Sequence, residues 1–280
     1  MMVNYLDDDR LLLVLQIDHT RIAGLFAAHW GNDEFERLKP YTSMVLATQE
    51  HDTGWWEWEI RPTLNKEGYP LDYIGSVGAL GQEWLDFYEG IVGRIAPKDA
   101  YAAYFVSMHG DGLVTKGMGL LDYMPDWSSV DPRFKAFVDQ QHEIRSELLK
   151  EMRSREELAE VTSDEYLWKN YRHMEVFDQL GQFVCNRYPF NSTAREKGPS
   201  KTLSDLPVPV GPGKQDVNIM VDVRDETTAV MTPYPFDIDP LPVSFQGRIL
   251  PNRPYESQEE FLDDFYRAER LNVNYVLRSS

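Results

Sequence analysis

The sequence predicts a mainly α-helical body followed by a C-terminal antiparallel β appendage, an α+β arrangement overall. Apolar residues recur at helical spacing through most of the first 190 residues. Residues 189–215 are rich in Pro, Ser and Gly, which is typical of a linker or an extended loop. Short β-type runs follow this stretch. We therefore predict a helical body over residues 1–190 and, over 191–280, an extended loop and a β appendage packed on that body.

The first elements have the pattern of a strand followed by two helices. The continuous apolar run Leu11–Leu15 predicts a short buried strand. The helix after it is expected to start near Asp18, with this aspartate as its N-cap. A second helix is predicted from about Phe35 and runs into the adjacent pair His51-Asp52.

The remaining elements follow from the same periodicities. Helical spacing of apolar residues predicts helices over about 84–92, 99–109, 132–158 and 164–188. Loop-type composition occurs at 60–73 and 111–130. Runs rich in β-branched residues predict strands over 217–223, 228–232, 243–250 and 273–277. Before the last of these, Ser257 and Glu260 have the spacing of a capping box, which predicts a short acidic helix over 257–268.

The composition excludes several classes of protein. The formal net charge of −18 over 280 residues disfavours nucleic acid as a partner, because phosphate backbones are bound through Lys and Arg. The single Cys185 cannot form an internal disulfide or a cysteine-based metal cluster. The N-terminal residues are acidic where a signal peptide needs positive charge, and the apolar run at 11–15 is too short to span a bilayer. The sequence predicts a cytoplasmic protein with no membrane partner.

Two local patterns point to chemistry. His51 and Asp52 are adjacent at the predicted end of an apolar helix, and Gly54 follows them. Adjacent side chains diverge by about 100° around a helix, so both can face one centre only near a helix end or across a metal. Asp178 lies within a strongly apolar helix, where a carboxylate is costly unless it is paired or bound to a cation.

His19, the pair His51-Asp52 and Asp178 occur in the order H, HD, D, each on a predicted helix or at its end. This order resembles the HD-domain superfamily of helical, metal-dependent phosphohydrolases. The resemblance implies an HD-like helical bundle and a metal held by these four side chains. The chain more narrowly resembles a bacterial family of unknown function through three patterns: Gln16-x-Asp18-His19, His51-Asp-x-Gly-Trp55-x-x-Trp58-Glu59 and Ser107-x-His109.

Physical chemistry supports a metal beside that resemblance. Two imidazoles and two carboxylates form a mixed nitrogen and oxygen set that suits a divalent transition metal such as Fe, Mn, Zn, Co or Ni. A bound ion would neutralise the carboxylates, lower the pKa of a bound water and polarise a substrate oxygen. We therefore predict a metal-dependent hydrolase that acts on a small molecule, with a phosphoester as the candidate bond.

Three further side chains are candidate catalytic residues. His109 falls at the end of an apolar helix, and we predict that it lies close to the metal and assists catalysis. Glu57 and Glu59 follow the His-Asp pair closely enough to act as general acid or base, or to support a metal-bound histidine. Both glutamates could equally be solvated carboxylates.

Two other interpretations of the same residues stay open. An HD-type di-iron oxygenase would need two further histidines, for which His109 and His142 are the candidates, and His142 is expected on a solvated helix face. A non-catalytic ligand-binding protein would use the cluster as a buried polar network without metal. The β appendage could form a homodimer interface, cover the cleft or complete the core. Four aromatic residues could stack on a planar substrate or belong to the core: Trp55, Trp56, Trp58 and Tyr69.

Overall fold

The computed structural model describes residues 1–115, 127–128, 130–190, 202–210 and 214–280. Its fold is α+β, with a group of helices that packs against a seven-stranded mixed sheet. The prediction of a mainly α, HD-like helical bundle with an antiparallel β appendage is therefore wrong. The sheet is one of the two main parts of the fold, and it takes strands from both the N-terminal and the C-terminal part of the chain.

The described strands fall in two groups along the chain, one before and one after a run of helices, and one further helix lies between the last two strands. The helices are α1 (Gln16–His29), α2 (Tyr41–Glu50), α3 (Trp56–Glu59), α4 (Tyr73–Leu80), α5 (Gln82–Ile95), α6 (Ala100–Thr115), α7 (Pro132–Arg153), α8 (Asp164–Cys185) and α9 (Gln258–Arg267). Short 3-10 turns cover Thr53–Trp55 and Glu156–Leu158. The strands are β1 (Met2–Tyr5), β2 (Arg10–Val14), β3 (Thr202–Val208), β4 (Val217–Val223), β5 (Thr228–Thr232), β6 (Leu241–Pro251) and β7 (Glu269–Arg278).

The order of the strands explains why the sheet is not an appendage. They are arranged as β1-β2-β6-β7-β5-β4-β3. The pairs are antiparallel except β5 and β7, which run parallel. β2 pairs with β6, where Leu12 lies opposite Ile249. The N-terminal strands therefore continue the sheet that the C-terminal strands form. The division into residues 1–190 and 191–280 stays a prediction.

Local sequence explains several element boundaries. The apolar residues of β2, Leu11–Val14, are buried, as the sequence predicted. α1 begins at Gln16, so Asp18 lies in its first turn and is not its N-cap. The Oγ of Ser257 accepts a hydrogen bond from the backbone N–H of Glu260 at the start of α9, which confirms the predicted cap.

Helix packing brings four separate parts of the chain to one place. α1 packs against α2 and α8, and α6 contacts α2, α5, α7 and α8. The facing sides are apolar and buried, with Phe26, Ala47 and Phe177 among them. The first turn of α1, the end of α2 and the middle parts of α6 and α8 therefore surround one buried point.

Two predicted loops lie partly outside the described residues. Residues 116–126 and 129 of the predicted loop 111–130 are outside them, and α6 continues to Thr115 instead of ending near Gly110. The predicted linker 189–215 includes 191–201 and 211–213, which are also outside them. Its described part contains β3, which the sequence did not predict. Among the described helices, none combines the length and the apolar character that crossing a membrane requires.

Candidate metal centre

Four polar side chains converge at the point that these helices surround. His19 lies in the first turn of α1, His51 directly follows the last residue of α2, and Asp52 comes next. Asp178 lies in α8. All four are buried, with exposed fractions of 0%, 0%, 5% and 8% respectively. Because the helix ends at the His-Asp pair, both side chains can turn toward the same point.

The distances between these side chains suit a shared cation. His19 Nε2 lies 2.9 Å from Asp178 Oδ1 and 3.3 Å from His51 Nε2. His51 Nε2 lies 3.5 Å from Asp178 Oδ1 and 3.6 Å from Asp52 Oδ2. One such atom from each of the four residues lies within 4.8 Å of all the others. Atoms that bind one ion at about 2.0–2.2 Å are about 3–4.4 Å apart, so the cluster is already close to the required spacing.

The electrostatics of the cluster also suit a cation. Burial raises the pKa of Asp52, but His51 and His109 outweigh burial and hold that pKa at about 2. Burial likewise raises the pKa of Asp178, whereas hydrogen bonds from His19 and His51 bring it well below its ordinary value. Burial lowers the pKa of His51, but the two carboxylates raise it further, to about 9. A proton on His51 thus compensates the buried carboxylates in the metal-free protein, and a divalent ion could replace it.

The backbone of α2 sets the orientation of His51. Its Nδ1 lies 2.7 Å from the carbonyl oxygen of Thr48, within the last turn of the helix. An Nδ1–H that donates to this carbonyl leaves Nε2 with a free lone pair directed at the cluster once the second proton is lost. This is the arrangement that a metal-ligating histidine usually has.

Asp52 is oriented by two aromatic side chains. The Tyr88 hydroxyl donates to Asp52 Oδ1 at 2.8 Å, and Trp55 Nε1–H donates to the Tyr88 oxygen at 3.1 Å. Burial and then the charge of Asp52 raise the pKa of Tyr88 well above its ordinary value, so the phenol keeps its proton. The chain from Trp55 through Tyr88 therefore holds one carboxylate oxygen and leaves Oδ2 directed at the histidines.

Asp178 has a comparable support on α8. Gln182, one turn further along the helix, donates from Nε2 to Asp178 Oδ1 at 3.0 Å. Gln182 Oε1 in turn accepts a hydrogen bond from the Tyr73 hydroxyl at 3.3 Å. Both carboxylates of the cluster are thus fixed by neutral donors, as is usual for the partners of metal ligands.

Comparison with known protein families identifies the group to which the chain belongs. A family described as "Protein of unknown function (DUF3891)" matches residues 1–252. The chain belongs to this family. The DUF3891 match includes all four clustered side chains and ends just after β6. It confirms the resemblance to a family of unknown function. No curated protein and no solved structure matches the chain.

In this DUF3891 protein His109 lies at the edge of the cluster. It belongs to α6 and is 4% exposed. Its Nε2 is 3.3 Å from Asp52 Oδ1, and its ring packs edge-on against that of His51, with centroids 4.7 Å apart. His109 therefore contacts the carboxylate oxygen that Tyr88 also binds.

Glu57 and Glu59 lie away from the clustered atoms. Glu57 is exposed, and its Oε1 lies 3.7 Å from Arg94 Nη1. Glu59 is buried and accepts hydrogen bonds from the backbone N–H groups of Gln16 at 2.6 Å and Ile17 at 3.4 Å. An anion at this position suits the N-terminus of α1. Glu59 thus anchors the helix turn that carries His19, and neither glutamate is among the residues that line the cavity beside the cluster.

Two other histidines lie outside the cluster. His142 is exposed on α7, where its Nε2 lies 3.0 Å from Asp111 Oδ2. The charged composition of that helix predicted this solvated position. His173 is buried on α8, with its ring next to those of Trp30 and Phe177. His19 and His51 therefore belong to the cluster, and His109 lies beside it.

A cavity of about 200 Å³ lies beside the cluster in the DUF3891 protein. Asp52, His109 and Asp178 form part of its wall, so a molecule inside it would reach the clustered atoms. Its other lining residues are Gln16, Trp55, Tyr73, Ile74, Trp84, Tyr88, Leu113 and Gln182. Trp55 thus lines the cavity as well as packing in the core, whereas Trp56 is exposed and Trp58 is buried.

Sequence reasoning missed the residues that orient the two carboxylates. Gln182 could have been found, because it lies four residues after Asp178 and so on the same helix face. Tyr88 carries no comparable signal, because it contacts Asp52 from α5, which is distant from the His-Asp pair along the chain.

Proposed function

We propose that this DUF3891 protein is a metal-dependent hydrolase that acts on a small molecule. The observation that carries the proposal is the convergence of two imidazole nitrogens and two carboxylate oxygens at one buried point. When bound there, a divalent ion supplies Lewis acidity, which lowers the pKa of a coordinated water and polarises a substrate oxygen. The mixed donor set suits Mn²⁺, Fe²⁺, Co²⁺, Ni²⁺ or Zn²⁺.

The position of the cavity supports catalysis rather than a purely structural metal. Structural metal sites are closed by protein ligands, whereas catalytic sites keep a position open for water or substrate. Asp52 and Asp178 both line the cavity as well as the cluster. A bound molecule can therefore approach the metal position from this side while His19 and His51 close the other.

We assign proton transfer to His109. It lines the cavity, and its Nε2 lies 3.3 Å from a carboxylate oxygen of the cluster. An imidazole that faces a cavity can accept a proton from a nucleophile bound there or return one to a leaving group. Tyr88 binds the same carboxylate oxygen and keeps Asp52 in place while His109 changes its protonation state.

The order of the clustered residues along the chain is the reason for naming a phosphoester as the candidate bond. His19, His51-Asp52 and Asp178 follow the order of the metal ligands in HD-domain phosphohydrolases. We propose that the likeness extends to the metal site and its chemistry. The proposal covers the metal ligands and their chemistry but not the fold, because the fold class implied by that resemblance was wrong.

The first experiment is elemental analysis of protein purified without an affinity tag. We expect about one equivalent of a transition metal in wild type and in the exposed-histidine control His142→Ala, and a loss of metal in His51→Ala. The metal-loaded protein should hydrolyse methyl p-nitrophenyl phosphate, a phosphodiester with a single ring, and a chelator should stop the reaction. Wild-type protein that contains no metal and takes up none on reconstitution would refute the proposal. Metal uptake with no turnover would leave a metal-binding protein without this activity.

A further inference from the structure

The cavity beside the cluster has an apolar wall that suits a compact organic body. Trp55, Trp84, Ile74 and Leu113 line it together with the ring of Tyr73. Its volume is about 200 Å³. For comparison, an apolar protein cavity of about 150 Å³ holds a benzene ring. The wall can therefore surround one aromatic ring or an aliphatic group of similar size.

The charges around the cavity limit the charge of its ligand. Among the described lining residues there is no Lys or Arg, and the charged groups are the carboxylates of Asp52 and Asp178, with the imidazole of His109 beside them. A divalent ion would offset these two charges and leave little positive potential for a polyanion. Proteins that bind terminal phosphates or carboxylates generally place Arg or Lys against them. A second anionic group on a ligand would thus meet no Lys or Arg side chain in the described wall.

Apart from His109 Nε2, which lies 3.3 Å from Asp52 Oδ1, two buried polar atoms of the lining residues have no hydrogen-bond partner among the described residues. They are the acceptor Gln16 Oε1 and the donor Trp84 Nε1–H. Gln16 is 2% exposed and Trp84 is 2% exposed. Leaving such groups unpaired costs free energy, and a ligand with a complementary donor and acceptor removes that cost.

We infer that the substrate is a compact molecule with an aromatic or apolar body, a single metal-binding head and no further anionic group. The body occupies the wall formed by Trp55, Trp84 and Leu113. Gln16 and Trp84 offer the acceptor and the donor that its polar edge would meet. This inference rests on the proposed metal-dependent hydrolase and names the substrate class of the same site.

Three hydroxamic acids test the inference, because they share one metal-chelating head. Benzohydroxamic acid carries a phenyl body, acetohydroxamic acid a methyl group, and 4-carboxybenzohydroxamic acid adds an anion at the far end of the ring. Binding to metal-loaded wild-type protein is measured by calorimetry after the metal content has been determined. We expect benzohydroxamic acid to bind at least tenfold more tightly than acetohydroxamic acid, and the carboxylated probe to lose at least tenfold.

A substitution at the mouth of the cavity tests the charge argument directly. Ile74 lines the cavity and is 57% exposed, so replacing it should not disturb the fold. Ile74→Lys should favour the carboxylated probe by at least fivefold relative to benzohydroxamic acid. The matched control Ile74→Met keeps an apolar chain of similar length and should leave that ratio unchanged.

Two results would overturn the inference while leaving the metal site intact. One is equal affinity of the metal-loaded protein for the phenyl and methyl probes. The other is equal affinity for the carboxylated and uncarboxylated probes. A protein that takes up no metal would instead refute the proposed function, and the substrate class would fall with it. The metal determination therefore separates the two failures.

Discussion

Gly181 of α8 faces the imidazole of His19 so closely that any side chain at position 181 would collide with it. A Cβ there would lie 2.8 Å from His19 Nδ1 and 2.9 Å from His19 Cε1. Atoms of this type do not approach so closely without a shift of one partner. The absence of a side chain at position 181 therefore lets α1 and α8 bring His19 against Asp178.

Replacing Gly181 by Ala should weaken metal binding. Alanine favours a helix over glycine by about 1 kcal/mol, but the added methyl group must displace His19 from its position. We expect at least a tenfold loss of affinity for Mn²⁺ or Zn²⁺ in calorimetric titrations. Gly93→Ala in α5 is the control, because a Cβ there meets no atom of the described residues within 4 Å. That variant should keep its affinity and gain up to about 1 kcal/mol of stability. An unchanged affinity in Gly181→Ala would refute this account of His19.

Tyr88→Phe should lower both metal affinity and stability. The substitution removes the 2.8 Å hydrogen bond to Asp52 Oδ1 and the acceptor of Trp55 Nε1–H. Partners of metal ligands typically contribute about 10–100-fold to affinity, and an unpaired buried group costs about 1–3 kcal/mol.

A tyrosine outside the site provides the matched control for that change. The buried Tyr101 donates to the Val161 carbonyl at 2.9 Å and accepts from Asn170 at 2.9 Å. Tyr101→Phe should therefore lose similar stability in urea denaturation but keep its metal affinity. If both variants lost affinity equally, Tyr88 would have no specific role in orienting Asp52.

Addition of metal should stabilise the folded protein. The four clustered residues come from three separate segments, so the unfolded chain cannot present them together. A ligand that binds the folded state alone adds about 2.7 kcal/mol when its concentration is 100 times the dissociation constant. Thermal denaturation with Zn²⁺ or Mn²⁺ and with a chelator measures the effect. Asp178→Asn keeps the shape of the side chain but loses its charge and should show little shift. Equal shifts in both proteins would place the metal elsewhere.

The buried His173 should make folding sensitive to mild acid. Burial and then the positive charge of Lys169 lower the pKa of His173 from 6.5 to about 3. Below pH 6.5 the unfolded chain therefore binds a proton that the folded chain excludes. The free energy of unfolding should fall by up to about 1.4 kcal/mol per pH unit as the pH drops from 6.5 toward 3, and this loss is absent above 6.5.

Two variants isolate the contribution of His173. His173→Gln should have a flatter dependence of urea-denaturation stability on pH between 6.5 and 5 than wild type. His142→Gln replaces a histidine whose side chain is 60% exposed and should follow the wild-type curve. A His173→Gln curve parallel to that of wild type would contradict the buried, neutral state of this imidazole.

Three residues of the candidate site carry a local signal in the sequence, whereas His19 was predicted from the resemblance to HD-domain proteins. His51 and Asp52 follow the last residue of α2, and a helix end is the place where adjacent side chains can face one centre. Asp178 stands out as a carboxylate in an apolar helix. The prediction of Asp18 as an N-cap was wrong, because α1 begins at Gln16, two residues before the predicted start.

The sheet could not be predicted because its pairing joins distant segments. β1 spans four residues, Met2–Tyr5, and its sequence has no clear alternation. β2 was predicted as a strand, but nothing near it indicates that Leu12 will lie opposite Ile249. Because that pairing was not predicted, the C-terminal strands were predicted to form a separate appendage and the helices to form the main body of the fold.

The pairing of β2 with β6 also has a consequence for the order of events during synthesis. β2 leads directly into α1, which carries His19. The pairing with β6 that sets the register of β2 therefore also positions α1. All four clustered residues are synthesised before β6, which begins at Leu241. Contacts between such distant segments form slowly and late. We therefore expect nascent chains to present these side chains without their final spacing, and the ion to enter only after translation has passed β6.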